Sequence, residues 1–124
     1  MMSDTMRLRG RSVLVVEDDF LIADDLRRSL ESCGAGVRGP VPDVAGALGL
    51  IEEEAPVLAV LDVNLGEATA YPVADRLRAL GVPFVFATGY DRPSIAAPYR
   101  DVALCEKPGD VATCLAELLG PSRS

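Results

Sequence analysis

Acidic residues follow two apolar stretches of this sequence, where they could bind a cation or accept a chemical group. Glu17 and Asp18 follow the run 12–16, and Asp62 follows the unbroken apolar run 57–61. An apolar run of this length is typical of a strand buried on both faces of a parallel sheet. Each acid then lies at the carboxyl end of a predicted strand, the edge where ligands collect in open α/β sheets.

A hydroxyl and an amine stand at the ends of two later predicted strands. Thr88 ends the strand 83–88, and Lys107 follows the strand 101–105. Each polar residue has a structural alternative: Asp18 or Asp19 could cap the first helix, Asp62 or Thr88 could support a turn, and Lys107 could be a solvated lysine. Because these groups end four different strands, one site for a metal and an anion explains them better than independent coincidence.

The carboxylates of Glu17, Asp18 and Asp62 would meet if the first and third strands are neighbours. Three carboxylates within ~5 Å repel one another by a few kcal/mol per pair at an effective dielectric constant of ~20. A divalent cation would relieve this repulsion. All-oxygen ligands in a small site favour Mg²⁺ as the cofactor.

The rest of the chain predicts the elements that position these residues. The predicted strands are 12–16, 35–41, 57–62, 83–88 and 101–105, and the predicted helices are 20–33, 43–54, 67–80 and 109–119. Pro93 and Pro98 limit residues 92–99 to a short helix at most. Regular alternation predicts an α/β fold, a doubly wound five-stranded parallel sheet in the flavodoxin-like order 2-1-3-4-5 with helices on both faces. We expect one domain over residues 12–119, with flexible tails at 1–11 and 120–124.

Composition excludes several classes of protein. The chain has 124 residues and a formal net charge of −7, so neither nucleic acid nor a membrane is an expected partner. It has no histidine, which removes histidine-based catalysis, histidine metal ligation and any phosphohistidine on this chain. The 3 cysteines show no close spacing, so we expect buried thiols in a reducing compartment, the cytoplasm.

Taken together, these motifs resemble the receiver domain of bacterial two-component response regulators, and the resemblance covers about residues 12–119. It implies that Asp62 is the phosphoacceptor. It also implies that Glu17, Asp18 and Asp62 bind Mg²⁺ together with the backbone carbonyl of Asn64. By the same resemblance, Thr88 and Lys107 would hold the phosphoryl oxygens, and a cis bond would precede Pro108.

The stretch 83–90, Pro-Phe-Val-Phe-Ala-Thr-Gly-Tyr, resembles a subgroup of stand-alone receivers with a Phe-Ala-Thr-Gly motif, some of which act in general stress signalling. Receivers commonly carry Tyr or Phe three residues before the lysine, where this sequence has Leu104. We expect Tyr90 to take over part of the switching role, and Tyr99 and Leu104 to belong to the output face.

The resemblance implies a single-domain response regulator rather than an enzyme. A histidine kinase or a phosphotransfer protein would phosphorylate it, and it would signal to an unknown effector protein as a monomer or weak dimer. Its own chemistry would be limited to Mg²⁺-dependent self-phosphorylation from a donor and self-dephosphorylation. The alternative is a phosphate shuttle or sink without its own effector. An aspartate-nucleophile phosphatase would need a second acid at the position of Asn64.

Overall fold

The computed structural model of this chain describes residues 4–88, 95–106 and 111–119. The strands are β1 Ser12–Val16, β2 Gly36–Val41, β3 Leu58–Asp62, β4 Asn64–Leu65, β5 Ala68–Thr69, β6 Phe84–Thr88 and β7 Leu104–Glu106. The α-helices are α1 Phe20–Ser32, α2 Val44–Glu53, α3 Tyr71–Leu80 and α4 Val111–Leu118, and 3-10 helices cover Asp4–Leu8 and Ala97–Tyr99.

Five of the strands form a parallel sheet in the order β2-β1-β3-β6-β7. This confirms the predicted doubly wound fold, because these are the five main strands in the order 2-1-3-4-5. Alternate side chains of each strand enter opposite core layers. Val13 and Val15 pack in the layer that contains α1 and α4, whereas Leu14 and Val16 pack in the layer that contains α2 and α3.

Local capping chemistry sets the ends of the helices. The Asp19 carboxylate accepts hydrogen bonds from the amides of Leu21 and Ile22 at 2.9 and 3.1 Å, which fixes the start of α1. Helix α3 has Pro72 in its first turn and ends at Gly81, whose φ of 72° lies in the left-handed region that glycine tolerates. Among the helices in the described ranges, none has the length and apolar character needed to cross a bilayer.

Two connections differ from the sequence prediction. Helix α3 begins at Tyr71 rather than at residue 67, because β4 and β5 pair antiparallel and form a short hairpin between β3 and α3. Strand β7 begins at Leu104 rather than at residue 101. Residues 97–99 form a 3-10 turn, and the Val102 amide still donates to the Tyr99 carbonyl, so the chain becomes extended only later.

Residues 4–11, part of the tail expected at residues 1–11, are held against the rest of the fold. Residues 4–8 form a 3-10 helix, and the Leu8 side chain is 0% exposed in the layer with α1 and α4. The Gly10 amide donates to the Gly34 carbonyl at 2.9 Å, which fixes the chain beside the end of α1. The sequence did not predict this packing because the segment is mostly polar and a single leucine, Leu8, anchors it.

The cysteines also differ from the sequence prediction. Cys105 of β7 and Cys114 of α4 form a disulfide, whereas Cys33 is a free thiol. The sequence predicts three unpaired thiols, because no two cysteines are close in sequence. Packing of α4 against β7 brings two of them together across a separation of nine residues.

Candidate phosphoacceptor and metal site

Strands β1 and β3 end side by side at the carboxyl edge of the sheet. Val16 pairs with Leu61, so Glu17 and Asp62 are the next residues along the two strands. One carboxylate oxygen from each of Glu17, Asp18 and Asp62 lies within 4.8 Å of the other two. The fold therefore brings together the three acids that the sequence placed at strand ends, although their roles remain predictions.

The three acids differ in their surroundings. Glu17 is 3% exposed, Asp62 is half-buried and Asp18 is exposed. The Glu17 carboxylate accepts a hydrogen bond from the Asp19 amide at 3.1 Å, and the Glu17 amide donates to the Val41 carbonyl at 3.0 Å. A buried carboxylate beside two others concentrates negative charge at one point. A hard cation that prefers oxygen ligands would stabilise this arrangement.

The helix-capping alternative applies to Asp19 rather than to Asp18. The Asp19 carboxylate caps α1, as described above, whereas Asp18 contributes an oxygen to the acidic cluster. Adjacent acids therefore have separate environments, one local to the helix and one at the carboxyl edge of the sheet.

The hairpin formed by β4 and β5 lies beside the cluster. Asn64 is exposed, and its amide donates to the Asp62 carboxylate over a long 3.4 Å. A Cβ atom built on Gly66, between the two strands, would lie 4.0 Å from an Asp18 carboxylate oxygen. Gly66 has a φ of 66°, so its left-handed backbone favours glycine in this turn, whereas the distance to Asp18 would accommodate a Cβ atom. Metal binding by the Asn64 carbonyl remains a prediction.

Thr88 ends β6, the strand next to β3. Asp62 pairs with Ala87, so Thr88 is one residue further along the neighbouring strand, and its side chain is 6% exposed. Lys107, Pro108 and Tyr90 lie outside the described residues, and their roles stay as the sequence predicts them.

The acidic cluster borders a cavity of about 240 Å³. Acidic, basic, aromatic and proline side chains line it, among them Glu17, Asp18, Phe20, Arg27, Pro40 and Pro42. The cavity therefore reaches two of the three acids of the cluster, Glu17 and Asp18.

The residues expected at the output face are partly covered. Leu104 is half-buried and pairs with Phe86 of β6, whereas Tyr99 is only 9% exposed. The Tyr99 hydroxyl donates to the Asp75 carboxylate of α3 at 2.6 Å. Sequence reasoning did not single out Asp75. The sequence carries no signal for this contact, because its two partners lie 24 residues apart in the chain.

Comparisons with known proteins identify the family. No protein-family model matches this chain. It is 41% identical to SdrG from Sphingomonas melonis Fr1, with a TM-score of 0.78, and the match covers 95% of this chain and 99% of that one. The chain belongs to the receiver domains of response regulators. It is thus a signalling domain rather than a conventional enzyme.

Two of the other relatives, PhyR and LytT, are longer than this chain. The response regulator PhyR from Brucella abortus is 25% identical with a TM-score of 0.71, over 93% of this receiver and 49% of PhyR. The sensory transduction protein LytT from Bacillus cereus is 32% identical over 88 residues, which are 68% of this chain and 36% of LytT. The receiver therefore spans about a third of the length of LytT.

SdrG from Pseudomonas melonis Fr1 also has a solution structure in a BeF3-activated conformation, with 41% identity to this chain, coverage of 96% and 99%, and a TM-score of 0.73.

Proposed function

We propose that this receiver accepts a phosphoryl group on Asp62 and signals through a phosphorylation-dependent contact with an effector protein. The observation that carries the proposal is the cluster of Glu17, Asp18 and Asp62 within 4.8 Å, beside the strand that ends in Thr88. The donor would be a histidine kinase or a phosphotransfer protein, because this chain has no histidine of its own. The BeF3-activated conformation of SdrG is consistent with this chemistry in a relative.

The proposed reaction needs an accessible carboxylate and charge neutralisation more than acid–base catalysis. An oxygen of the half-buried Asp62 attacks the phosphorus atom of the donor. The bond between phosphorus and the leaving atom breaks, and the electron pair departs with the leaving group. The Thr88 hydroxyl and the Lys107 amine, by the family resemblance, donate to the phosphoryl oxygens.

The acidic cluster fits Mg²⁺, because carboxylate oxygens within 4.8 Å are the hard ligands that this ion prefers. Glu17, Asp18 and Asp62 would hold it, with the Asn64 carbonyl as a further ligand by the family resemblance. When bound, Mg²⁺ neutralises negative charge on the phosphoryl group and on the carboxylates. In the apo protein the same carboxylates repel one another, and this repulsion also disfavours an anionic donor.

Intact-mass analysis after incubation with acetyl phosphate and Mg²⁺ tests the proposal. We expect one added phosphoryl group on the wild type, none on Asp62→Asn, and none in excess chelator. Asp25→Asn, which neutralises an exposed acid of α1 outside the cluster, is the matched control and should be labelled like the wild type. Labelling that persists in Asp62→Asn would contradict the proposed phosphoacceptor.

A pull-down experiment with beryllofluoride, which mimics the phosphoryl group, distinguishes the proposed contact with an effector protein from the phosphate shuttle or sink. We expect a partner protein to be retained by the immobilised receiver only when beryllofluoride and Mg²⁺ are present, and to be lost with Asp62→Asn. A receiver that exchanges phosphoryl groups with its donor yet retains no partner in either state would instead support the shuttle or sink.

A further inference from the structure

One face of α3 holds the segment 95–101, which precedes β7. Tyr71, Asp75 and Arg78 are spaced by four and three residues, so they share this face. Each makes a hydrogen bond to the segment: the Tyr71 hydroxyl accepts from the Ala96 amide at 3.0 Å, Asp75 accepts from the Tyr99 hydroxyl at 2.6 Å, and Arg78 donates to the Pro98 carbonyl and to Asp101 at 2.8 Å each. We call this set of contacts the α3 clasp.

Tyr99 is the centre of the clasp. Its ring stacks on Tyr71 with centroids 4.2 Å apart and an interplanar angle of 2°, and the Arg78 guanidinium lies 5.3 Å from its centroid. The hydrogen bond to Asp75, together with burial, raises the pKa of Tyr99 above its usual value, so the hydroxyl stays a donor to a charged acceptor. Such a directional contact is either made or broken, which is what a two-state element requires.

Phe86 connects the clasp to the phosphoacceptor edge. Its ring meets Tyr71 and Tyr99 edge-on, with centroid distances of 6.1 and 6.3 Å. Phe86 and Thr88 are two residues apart on β6, so their side chains share one face of the sheet. A close-packed layer transmits small shifts, and movement at the end of β6 therefore displaces the rings that pack against it. Leu104, which pairs with Phe86, has no hydroxyl with which to make an equivalent bond.

We propose that the α3 clasp stabilises the unphosphorylated arrangement of the 95–101 segment and is released when Asp62 is phosphorylated, with the Tyr99–Asp75 hydrogen bond as its latch. This inference rests on the proposed function. By thermodynamic linkage, a latch present in only one state opposes the ligand that favours the other state. Tyr99 and Asp75 are therefore positioning residues that regulate the phosphoryl site without touching it.

Substitution of Tyr99 by phenylalanine isolates the latch, because it removes the hydroxyl and keeps the stacked ring. In a titration with beryllofluoride and Mg²⁺ followed by NMR, Tyr99→Phe should bind roughly 3- to 10-fold more tightly than the wild type. Asp75→Ala should shift binding in the same direction. Arg76→Ala, which breaks the ion pair with Glu52 on another face of α3, is the matched control and should bind like the wild type.

Hydrogen exchange of the 95–101 amides gives a readout that a general loss of stability would not reproduce. Exchange should accelerate in this segment in wild-type protein with beryllofluoride, and in Tyr99→Phe without it, while α1 stays protected. If the wild type binds beryllofluoride but Tyr99→Phe binds equally or less tightly with its fold intact, the latch is refuted. If the wild type binds no beryllofluoride, the proposed function is refuted, and the clasp proposal falls with it.

Discussion

At the scale of single residues, the adjacent acids Asp18 and Asp19 carry the same functional group but lie in different environments. Asp19 satisfies two amides at the start of α1, whereas Asp18 shares the cluster with Glu17 and Asp62. Capping favours a carboxylate in any folded state, but three clustered carboxylates are favourable only with a counter-charge. Substitution of Asp by Asn should therefore have different consequences for stability at Asp18 and at Asp19.

Asp18→Asn is expected to remove most of the stabilisation by Mg²⁺. The proposed Mg²⁺ site exists only in the native state, so the ion should raise the free energy of unfolding of the wild type, by about 2–3 kcal/mol when its concentration is a hundredfold above Kd. Thermal unfolding in millimolar Mg²⁺ and in chelator measures the effect.

Asp25→Asn serves as the control for loss of one negative charge and should keep the full Mg²⁺ response, because Asp25 lies outside the cluster. Without Mg²⁺, Asp18→Asn should be at least as stable as the wild type, since it relieves repulsion. An equal Mg²⁺ response in wild type and Asp18→Asn would show that the ion binds elsewhere.

At the scale of elements, the predictions succeeded where a local signal was strong. The apolar run after Arg11 defines β1 at its observed limits, and Gly81 ends α3 as a left-handed cap. The hairpin after Asp62 was missed because its two-residue strands are too short for an alternating pattern. The α3 clasp was missed because Asp75 and Arg78 look like ordinary polar residues of an exposed helix face, and only the tertiary structure supplies their partners.

The amino-terminal 3-10 helix is an element that the sequence did not predict, and its packing can be tested directly. Leu8 is fully buried, so Leu8→Ala should lower the free energy of unfolding by about 2–5 kcal/mol, through lost apolar burial and the cavity that remains. Urea denaturation measures the change. Met6→Ala is the control in the same element, because Met6 is 41% exposed and its truncation should cost little.

Equal effects of the two substitutions would contradict the packing of this helix. Deletion of the first three residues alone should leave the urea midpoint unchanged if Leu8 carries the stabilisation.

At the scale of the whole molecule, the two core layers on opposite faces of the sheet are stabilised in different ways. The layer with α1 and α4 is fastened by Leu8 and by the disulfide between β7 and α4. The opposite layer contains α3 and the rings on which the 95–101 segment rests, and hydrogen bonds rather than a covalent link hold that segment. This asymmetry is compatible with a signalling domain, because the hydrogen bonds of one face can break while the other face keeps the fold.

The disulfide is expected to stabilise the native state and to leave the chain with one reactive thiol. Closing a loop of this length lowers the entropy of the unfolded chain, so reduction should cost about 2–3 kcal/mol in the free energy of unfolding. Urea denaturation with and without reductant measures the loss. The double variant Cys105→Ser/Cys114→Ser should unfold like the reduced wild type and ignore reductant.

Cys33→Ser is the matched control, because Cys33 is the free thiol and its replacement should preserve the response to reductant. Thiol titration of the denatured, unreduced protein should find one reactive group in the wild type and none in Cys33→Ser, and all 3 cysteines of the wild type should react after reduction. Three reactive thiols before reduction would mean that Cys105 and Cys114 are neighbours without a bond. In that case α4 depends on its apolar contacts alone, and the urea midpoint should be the same with and without reductant.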